Sequence, residues 1–469
     1  MKHLIFFYCK LNLIIQIQTV VIFRTSILTL FFLFIISVTN TQTVAVKPDS
    51  KKIQILRGPY LQSGTTSSMI IKWRTSEPSS SKVLYGTHSN NLNKTVVLKE
   101  RVTDHEVKIE GLKEHTKYYY AVGTEEEMLI ENDKTYYFMT SPDQDYSEVV
   151  HIWAIGDFGT GDREPEKVKN AYMKFRRGHH TDVWLMLGDI AYYYGKEEEF
   201  QRSIFGDTYK YMMRNTVMWP TPGNHDMRSA DSETETGPYY DVFTLPTNGE
   251  AGGEPSGTEA YYSYNYGDIH FISMDSEDTP RQVFSDMARW LQRDLEQDDH
   301  NWKIAFFHHP PFTKGTHNSD LDLDSRGRLK EMRENILPIL EKFGVDLVLS
   351  GHSHIYERSY LIKGHYGYSK DFDPDSMIIQ YDNEKKKNKS AFFKKDDNNG
   401  TIYIVCGVSG SRPPVGTCDH PAMAVCKGNY HGSLSIEIRD NLLLGVFVDE
   451  YAKAKDSFTI TKEFSIGAN

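Results

Sequence analysis

The sequence predicts an α/β domain, with two mixed sheets sandwiched by helices, preceded by an all-β sandwich of the fibronectin III or immunoglobulin type. Three observations favour this class. Residues 53–142 contain short runs that alternate between apolar and polar side chains. From residue 149 onward, apolar runs of strand length alternate with helical stretches. The chain of 469 residues is also too long for one typical domain.

The all-β prediction for residues 53–142 depends on five short runs with period-two alternation, which turn residues separate from one another. Strands at this spacing are typical of a small sandwich. We see no group of metal-ligating residues in this part of the sequence, so we expect it to pack against or position the second domain. The polar residues 143–148 are predicted to be the linker.

The second domain is predicted over residues 149–469, with helices at 165–177, 281–297 and 328–343. Strands at 433–438 and 443–449 flank a turn and are predicted to form a hairpin that completes a second sheet. Residues 382–399 are rich in lysine, and we expect an exposed insertion or a disordered loop there.

Residues 1–42 have the pattern of a targeting segment. An apolar core from Ile27 to Val38 follows Arg24 and precedes a short polar stretch, which is the order found in secretory signal peptides. An uncleaved signal anchor is the alternative. We therefore expect a secreted, extracellular or lumenal protein, with membrane anchoring through this segment as the second possibility.

Charge and composition limit the partners. The net charge is -11 and no basic groove is evident, so we do not expect nucleic acid as a stable partner. An anionic substrate is still compatible, because bound multivalent cations can dominate the local field. Beyond the targeting segment there are three cysteines, Cys406, Cys418 and Cys426, which allow at most one internal disulfide. Three sequons predict glycosylation, at Asn93, Asn388 and Asn399.

Five apolar runs of the second domain end in residues with metal-ligand side chains beside glycine or proline. These ends are GDFG at 156–159, GDIAY at 188–192, GNHD at 223–226, HHPP at 308–311 and GHSHIYER at 351–358. Each motif alone is more often a turn or a helix cap. In α/β sheets, however, sites form where the carboxyl ends of strands meet. Five such ends in one domain therefore predict a shared metal centre.

The ordered set of motifs resembles the calcineurin-like metallophosphoesterases and, within them, the purple acid phosphatases. The resemblance covers about residues 149–449. The opening RGPYL at 57–61 resembles the small β-domain of the larger members. The resemblance implies hydrolysis of phosphate monoesters at acidic pH by a dinuclear centre of Fe(III) and a divalent ion (Zn, Fe or Mn), with a metal-activated hydroxide as the nucleophile.

The resemblance also implies seven metal ligands, and all seven positions hold the expected residue types. They are Asp157, Tyr192 and His354 for Fe(III), Asn224, His308 and His352 for the divalent ion, and Asp189 as the bridge. The chemistry agrees with this division. A phenol with a pKa of about 10 ligates well only to a strongly acidic cation. An amide with two imidazoles is neutral and suits a borderline divalent ion.

Three further histidines lie within or shortly after these motifs. His225 matches a family histidine beside the substrate and is predicted to be catalytic; its alternative role is to orient its neighbour. His317, in the segment 315–318, is predicted to contact phosphate or donate a proton. The family does not require His309, which we expect to support its neighbours or to be incidental.

Two alternative functions are compatible with the sequence. One is a phosphodiesterase or nucleotide pyrophosphatase of the same superfamily. The other is a binding protein with a decayed catalytic domain. A missing ligand would favour the second alternative, and every ligand position is filled.

Overall fold

The computed structural model describes residues 52–463 except 132, 381–388, 396–398 and 412–415. The predicted targeting segment, residues 1–42, and the sequon at Asn388 lie outside the described residues. Across the described ranges, no helix combines the length and the apolar character needed to span a bilayer.

The first part of the chain forms an all-β domain, as predicted. Its strands are β1 Ile55–Gln62, β2 Ser68–Gly86, β3 Lys94–Glu110, β4 Lys117–Gly123 and β5 Tyr137–Met139. The long strand β2 pairs antiparallel with β1, β3 and β4, and its register with β3 shifts between Arg74 and Ser79. Apolar side chains such as Trp73 and Val107 fill the core. His105 is also buried there, where hydroxyl groups bond both its ring nitrogens.

The second part contains the remaining strands, and helices connect several of them. The strands are β6 Val150–Ile155, β7 Val183–Met186, β8 Met218–Pro220, β9 Tyr262–Asn265, β10 Ile269–Ser273, β11 Trp302–Phe306, β12 Leu347–Ser350, β13 Tyr356–Ser359, β14 Leu361–Ile362, β15 Ile378–Gln380, β16 Lys389–Lys394, β17 Ile402–Cys406, β18 Met423–Lys427, β19 Gly432–Arg439, β20 Leu442–Asp449 and β21 Ala454–Lys462. The α-helices are α1 Glu164–Phe175, α2 Glu197–Ser203, α3 Lys210–Met213, α4 Pro238–Val242, α5 Asp286–Gln297, α6 Arg328–Glu331, α7 Leu337–Lys342 and α8 Pro374–Met377. Single turns of 3-10 helix lie at Asp226–Ser229, Asp324–Gly327 and Ser369–Asp371, and a π-helical turn lies at Met332–Ile336.

Two seven-stranded sheets organise this part and confirm the predicted α/β class. One has the order β16-β21-β20-β19-β6-β7-β8, and the other has the order β18-β13-β17-β12-β11-β10-β9. Both mix parallel and antiparallel pairs. The central strands β7, β12 and β17 are wholly buried and largely apolar, as expected where both faces of a sheet are covered. The predicted hairpin is confirmed as β19 and β20.

The lysine-rich segment can be compared with its prediction only in part, because residues 381–388 and 396–398 lie outside the described residues. Residues 389–394 form β16, an edge strand that pairs parallel with β21, and not an exposed insertion. Phe392 is buried, and the buried Lys394 ammonium lies 2.5 Å from the Asp346 carboxylate. This pairing compensates the cost of burying the lysine charge.

The structure also settles the cysteine pairing that the sequence left open. Cys418 and Cys426 form a disulfide, and Cys406 on β17 is a buried free thiol. Two predicted sequons fall in described residues: Asn93 is exposed just before β3, whereas Asn399 is half-buried.

Candidate metal centre

The five predicted strand ends meet at one place. Strands β6, β7 and β8 are parallel neighbours in one sheet, and β11 and β12 are parallel neighbours in the other. The loops that follow their carboxyl ends carry Asp157, Asp189, Asn224, His308 and His352. Each sheet therefore contributes ligands to the same cleft, as the rule for α/β sheets predicts.

Strained backbone places three of these side chains. Asp157, Asp189 and His352 have φ values of 55°, 54° and 65°. This left-handed region is uncommon for residues other than glycine, and such strain persists where the surrounding structure fixes it, often at functional sites. The tight turns point the side chains into the cleft between the two sheets.

Glycines let the loops approach one another closely. A Cβ atom added to Gly223 would lie 2.1 Å from the Asp189 backbone nitrogen, and one added to Gly351 would lie 2.5 Å from Asp157 Oδ2. Neither position has room for a side chain. The glycines of these two motifs are thus explained by the convergence of the strand ends.

One cluster of donor atoms consists of Asp157, Tyr192 and His354. The Tyr192 hydroxyl oxygen lies 3.2 Å from Asp157 Oδ1 and 3.2 Å from His354 Nε2. His354 Nε2 lies 3.3 Å from Asp157 Oδ1. Two oxygens and one imidazole nitrogen therefore surround a single point, with the composition expected of a site for a hard cation.

A second cluster consists of Asn224, His308 and His352. Asn224 Oδ1 lies 3.1 Å from His308 Nε2 and 2.9 Å from His352 Nδ1, and the two nitrogens are 3.2 Å apart. His308 Nδ1 donates to the Leu187 carbonyl, and His352 Nε2 bonds the Ser325 hydroxyl. These outer bonds leave His308 Nε2 and His352 Nδ1 facing inward, the arrangement found around metal-bound histidines.

Asp189 lies between the two clusters. Its Oδ1 is 3.4 Å from His308 Nε2 of the second cluster and accepts the His225 backbone N–H. Burial opposes its ionisation, but the His308 and His225 imidazoles hold the pKa of Asp189 below its usual value. Its carboxylate also lies within 4.8 Å of the ligand atoms of Asp157 and His354 in the first cluster. This is the position that a carboxylate needs in order to bridge two metal ions.

The donor set fits bound cations. Asp157 and Asp189 are almost completely buried, and among the described residues their ion-pair partners are histidines, with no lysine or arginine. Buried carboxylates without such compensation are costly. Burial and the Asp189 and Asp157 carboxylates raise the pKa of the Tyr192 phenol well above its usual value. Only a strongly acidic cation would hold this phenol as a phenolate.

The two predicted catalytic histidines lie beside different ligands of the centre. His225 Nε2 is 3.9 Å from Asp189 Oδ2, and its Nδ1 bonds the Tyr193 carbonyl. The His317 ring stacks on His352 at 3.9 Å, and its Nδ1 lies 2.8 Å from Asp324 Oδ1. The structure therefore brings all nine predicted metal and catalytic residues together. His309 packs behind them, 4.4 Å from the His352 ring, and bonds Ser276.

Sequence reasoning missed the role of Asp226. Its Oδ1 accepts the backbone N–H groups of Ile190 and Ala191, and its Oδ2 accepts that of Gly223. The carboxylate is fully buried and ties the loop after β7 to the loop after β8. Asp226 belongs to the GNHD motif, but the backbone groups that it binds in the loop after β7 are far away in sequence and are visible only in the fold.

A further group of possible ligands, His270, Asp298 and His300, lies at the start of β10 and β11. The two metal clusters lie at the opposite, carboxyl ends of the strands. The Lys303 ammonium is 3.4 Å from Asp298 Oδ2, and His270 Nε2 is 2.8 Å from Asp294 Oδ2. The ion pairs of this group account for its charges, so we assign it a structural role.

Comparison with known proteins identifies both parts of the chain. Residues 57–140 match the family model for the N-terminal domain of purple acid phosphatases, and residues 150–356 match that for calcineurin-like phosphoesterases. Purple acid phosphatase 15 of Arabidopsis thaliana is 26% identical over 335 residues, covering 66% of this chain and 54% of the relative. Probable inactive purple acid phosphatase 27 of the same plant is 25% identical over 77% of this chain and 58% of the relative.

The fold agrees with these matches. The purple acid phosphatase PPD1 from yellow lupin (Lupinus luteus) seeds superposes with a TM-score of 0.66 at 16% identity, covering 87% of this chain and 74% of that one. The chain spans less than two thirds of the length of the curated relatives named above. The two family matches together cover more than half of the sequence. The family implies a dinuclear metal centre, which the two clusters around Asp189 fit. The chain therefore belongs to the calcineurin-like phosphoesterases and is a relative of the purple acid phosphatases.

Proposed function

We propose that this protein is an acid phosphatase that hydrolyses phosphate monoesters with a dinuclear Fe(III)–M(II) centre. The observation that supports this most strongly is the pair of donor clusters on either side of Asp189. Asp157, Tyr192 and His354 would hold Fe(III), and Asn224, His308 and His352 would hold Zn(II), Fe(II) or Mn(II). When bound, the two cations would polarise the phosphate oxygens and supply a hydroxide nucleophile at acidic pH.

The assignment of Fe(III) rests on Tyr192. Its phenol is buried beside two carboxylates, and Fe(III) is acidic enough to replace its proton and prefers oxygen ligands. The second cluster offers one amide oxygen and two imidazole nitrogens, which suit a divalent ion. With every ligand position filled, a catalytic role is better supported than a binding protein with a decayed site, although some relatives are named as probably inactive.

The histidines supply the proton chemistry. His225 Nδ1 is held by the Tyr193 carbonyl, so its Nε2 faces the cleft beside Asp189. From there it would bind a phosphate oxygen and donate a proton to the departing alkoxide. The Asp324 carboxylate orients His317 through Nδ1, and the opposite nitrogen would contact phosphate or the leaving group. Two imidazoles near the centre could thus stabilise the charge that develops on the phosphate and the leaving group during hydrolysis.

We also propose a secreted or lumenal location, with membrane anchoring through the N-terminal segment as the alternative. The signal-like residues 1–42 and the Cys418–Cys426 disulfide support an oxidising compartment. The expected partner is a phosphate-ester substrate, and no stable nucleic-acid partner is expected from the net charge of -11.

A kinetic comparison of p-nitrophenyl phosphate with bis-p-nitrophenyl phosphate tests the reaction class. The monoester is expected to be the better substrate, with kcat/KM at least about tenfold higher, because its extra anionic oxygen can bind the second cation. A preference for the diester would instead favour the phosphodiesterase or nucleotide pyrophosphatase alternative.

The spectrum of the purified protein tests the metal assignment. We expect iron and a second metal at about one each per chain, and a visible charge-transfer band from phenolate bound to Fe(III). Tyr192→Phe removes the phenolate oxygen while retaining the ring, so the band is expected to disappear. Tyr193→Phe is the matched control and should keep it. An active, colourless and iron-free enzyme would contradict the ferric assignment but not the phosphoesterase assignment.

A further inference from the structure

Two tyrosines that follow Tyr192 are exposed at the edge of the candidate centre. The side chains of Tyr193 and Tyr194 are 66% and 56% exposed. A single exposed aromatic residue needs no explanation. Two adjacent exposed tyrosines beside a proposed catalytic histidine are unusual. An aromatic side chain that stays in water forgoes the favourable free energy of burying its large apolar surface.

The backbone that carries these rings is held firmly. The buried Glu199 carboxylate accepts the backbone N–H groups of Tyr193, Tyr194 and Lys196. On the other side, His225 and Arg228 both bond the Tyr193 carbonyl, and the Ser229 hydroxyl donates to the Tyr194 carbonyl. The loop is therefore fixed at six points.

The loop also packs closely against the neighbouring turn. A Cβ atom on Gly195 would lie 2.1 Å from the Asp226 carbonyl oxygen. The fold fixes the main chain and leaves the two rings outside the core. Rings presented on a fixed backbone lose little entropy when they bind a ligand.

The Tyr193 ring lies beside the proposed catalytic histidine His225. The Tyr193 ring is 6.1 Å from the His225 ring, whose Nε2 is 3.9 Å from Asp189 Oδ2. Farther out, Arg228 lies 5.8 Å and Lys196 lies 5.6 Å from the centre of the Tyr194 ring. Two adjacent exposed rings thus follow Tyr192, and one of them lies beside the histidine that would meet the leaving group.

We propose that Tyr193, supported by Tyr194, is the surface on which the leaving group of an aryl phosphate monoester stacks. This inference rests on the proposed phosphatase function and specifies its substrate class. In an aryl phosphate the ring is bonded directly to the ester oxygen, so it would lie beside His225 and Tyr193 when the phosphate is at the centre. An aliphatic leaving group would gain no comparable stacking.

The test compares phenyl phosphate with β-glycerophosphate in the metal-loaded protein. Because the two esters differ in intrinsic reactivity, the quantity to follow is the ratio of their kcat/KM values in each variant. Tyr193→Ala is expected to lower the phenyl-to-glycerol ratio about three- to tenfold, the range measured for aromatic pairs. Tyr193→Phe keeps the ring and should keep the ratio within about twofold of wild type.

Binding of non-reacting analogues gives a second readout. The inhibition constant of phenylphosphonate is expected to rise in Tyr193→Ala, while that of methylphosphonate stays unchanged. Tyr211→Ala is the matched control, because Tyr211 is another exposed tyrosine, 48% exposed, on α3 beside Arg214. It should change neither the ratio nor the inhibition constants.

The outcomes separate this inference from the function on which it rests. Unchanged ratios and inhibition constants in both Tyr193→Ala and the double variant Tyr193→Ala/Tyr194→Ala would overturn the stacking surface, while wild-type hydrolysis of both esters would leave the phosphatase function intact. If the wild type hydrolysed neither ester, the proposed function would be wrong. Calorimetric binding of phenylphosphonate to wild type and Tyr193→Ala would then decide the stacking surface.

Discussion

Replacing Asp189 with alanine is expected to lower kcat/KM for p-nitrophenyl phosphate by at least about a thousandfold. Asp189 lies between the two clusters, 3.4 Å from His308 Nε2 of one and within 4.8 Å of the Asp157 and His354 ligand atoms of the other. Its removal would separate the two cation sites and eliminate a shared negative charge. Metal ions stabilise a transition state by several kcal/mol, and about 4 kcal/mol corresponds to a thousandfold change in rate.

Metal analysis of the same variant distinguishes loss of the centre from loss of the fold. We expect Asp189→Ala to retain less than about one metal ion per chain, with its secondary structure unchanged by circular dichroism. Asp241→Ala, an exposed aspartate on α4, is the control and should keep both metals and full activity. Retention of two metals and more than about a tenth of the activity would show that Asp189 is not the bridging ligand.

The centre was predictable because its elements have strong sequence signals. The apolar runs before Asp157 and Asp189 are four to six residues long and buried on both faces, so they are readily identified as strands of a covered sheet. Because the two strands are parallel neighbours in one sheet, their carboxyl ends lie side by side. The helix Asp286–Gln297 was also predictable from its apolar face, although it begins five residues later than the predicted 281, where Ser285 caps it.

Other features depend on contacts that no local pattern encodes. The lysine-rich stretch indicated a solvated insertion, yet β16 pairs with β21, and Asp346 neutralises Lys394 in the interior. Asp346 precedes β12, so the partner is far away in sequence. The pairing of the cysteines likewise became clear only from their positions in the fold. Tertiary context overrides composition at such places.

Asp226 is another residue whose contacts no local sequence pattern encodes, and it lies at the metal centre itself. Its replacement is the second substitution for which we expect a large effect. Asp226→Ala is expected to lower the free energy of unfolding by about 3 kcal/mol, because it leaves the backbone N–H groups of Ile190, Ala191 and Gly223 without an acceptor. Asp226→Asn is the matched variant. Its single carbonyl oxygen can still serve Ile190 and Ala191, so we expect an intermediate loss of about 1–2 kcal/mol.

Urea unfolding in EDTA makes this prediction specific to Asp226. Its hydrogen bonds join two protein loops and need no cation, so the loss is expected in the metal-free protein as well. Asp189→Ala should behave in the opposite way. Without cations it leaves one backbone N–H group, that of His225, without its acceptor and is expected to cost less than Asp226→Ala, whereas with cations it also loses the stability that metal binding contributes. If Asp226→Ala unfolded at the wild-type urea concentration in EDTA, Asp226 would act through the metals and not as the scaffold that sets the distance between the loops after β7 and β8.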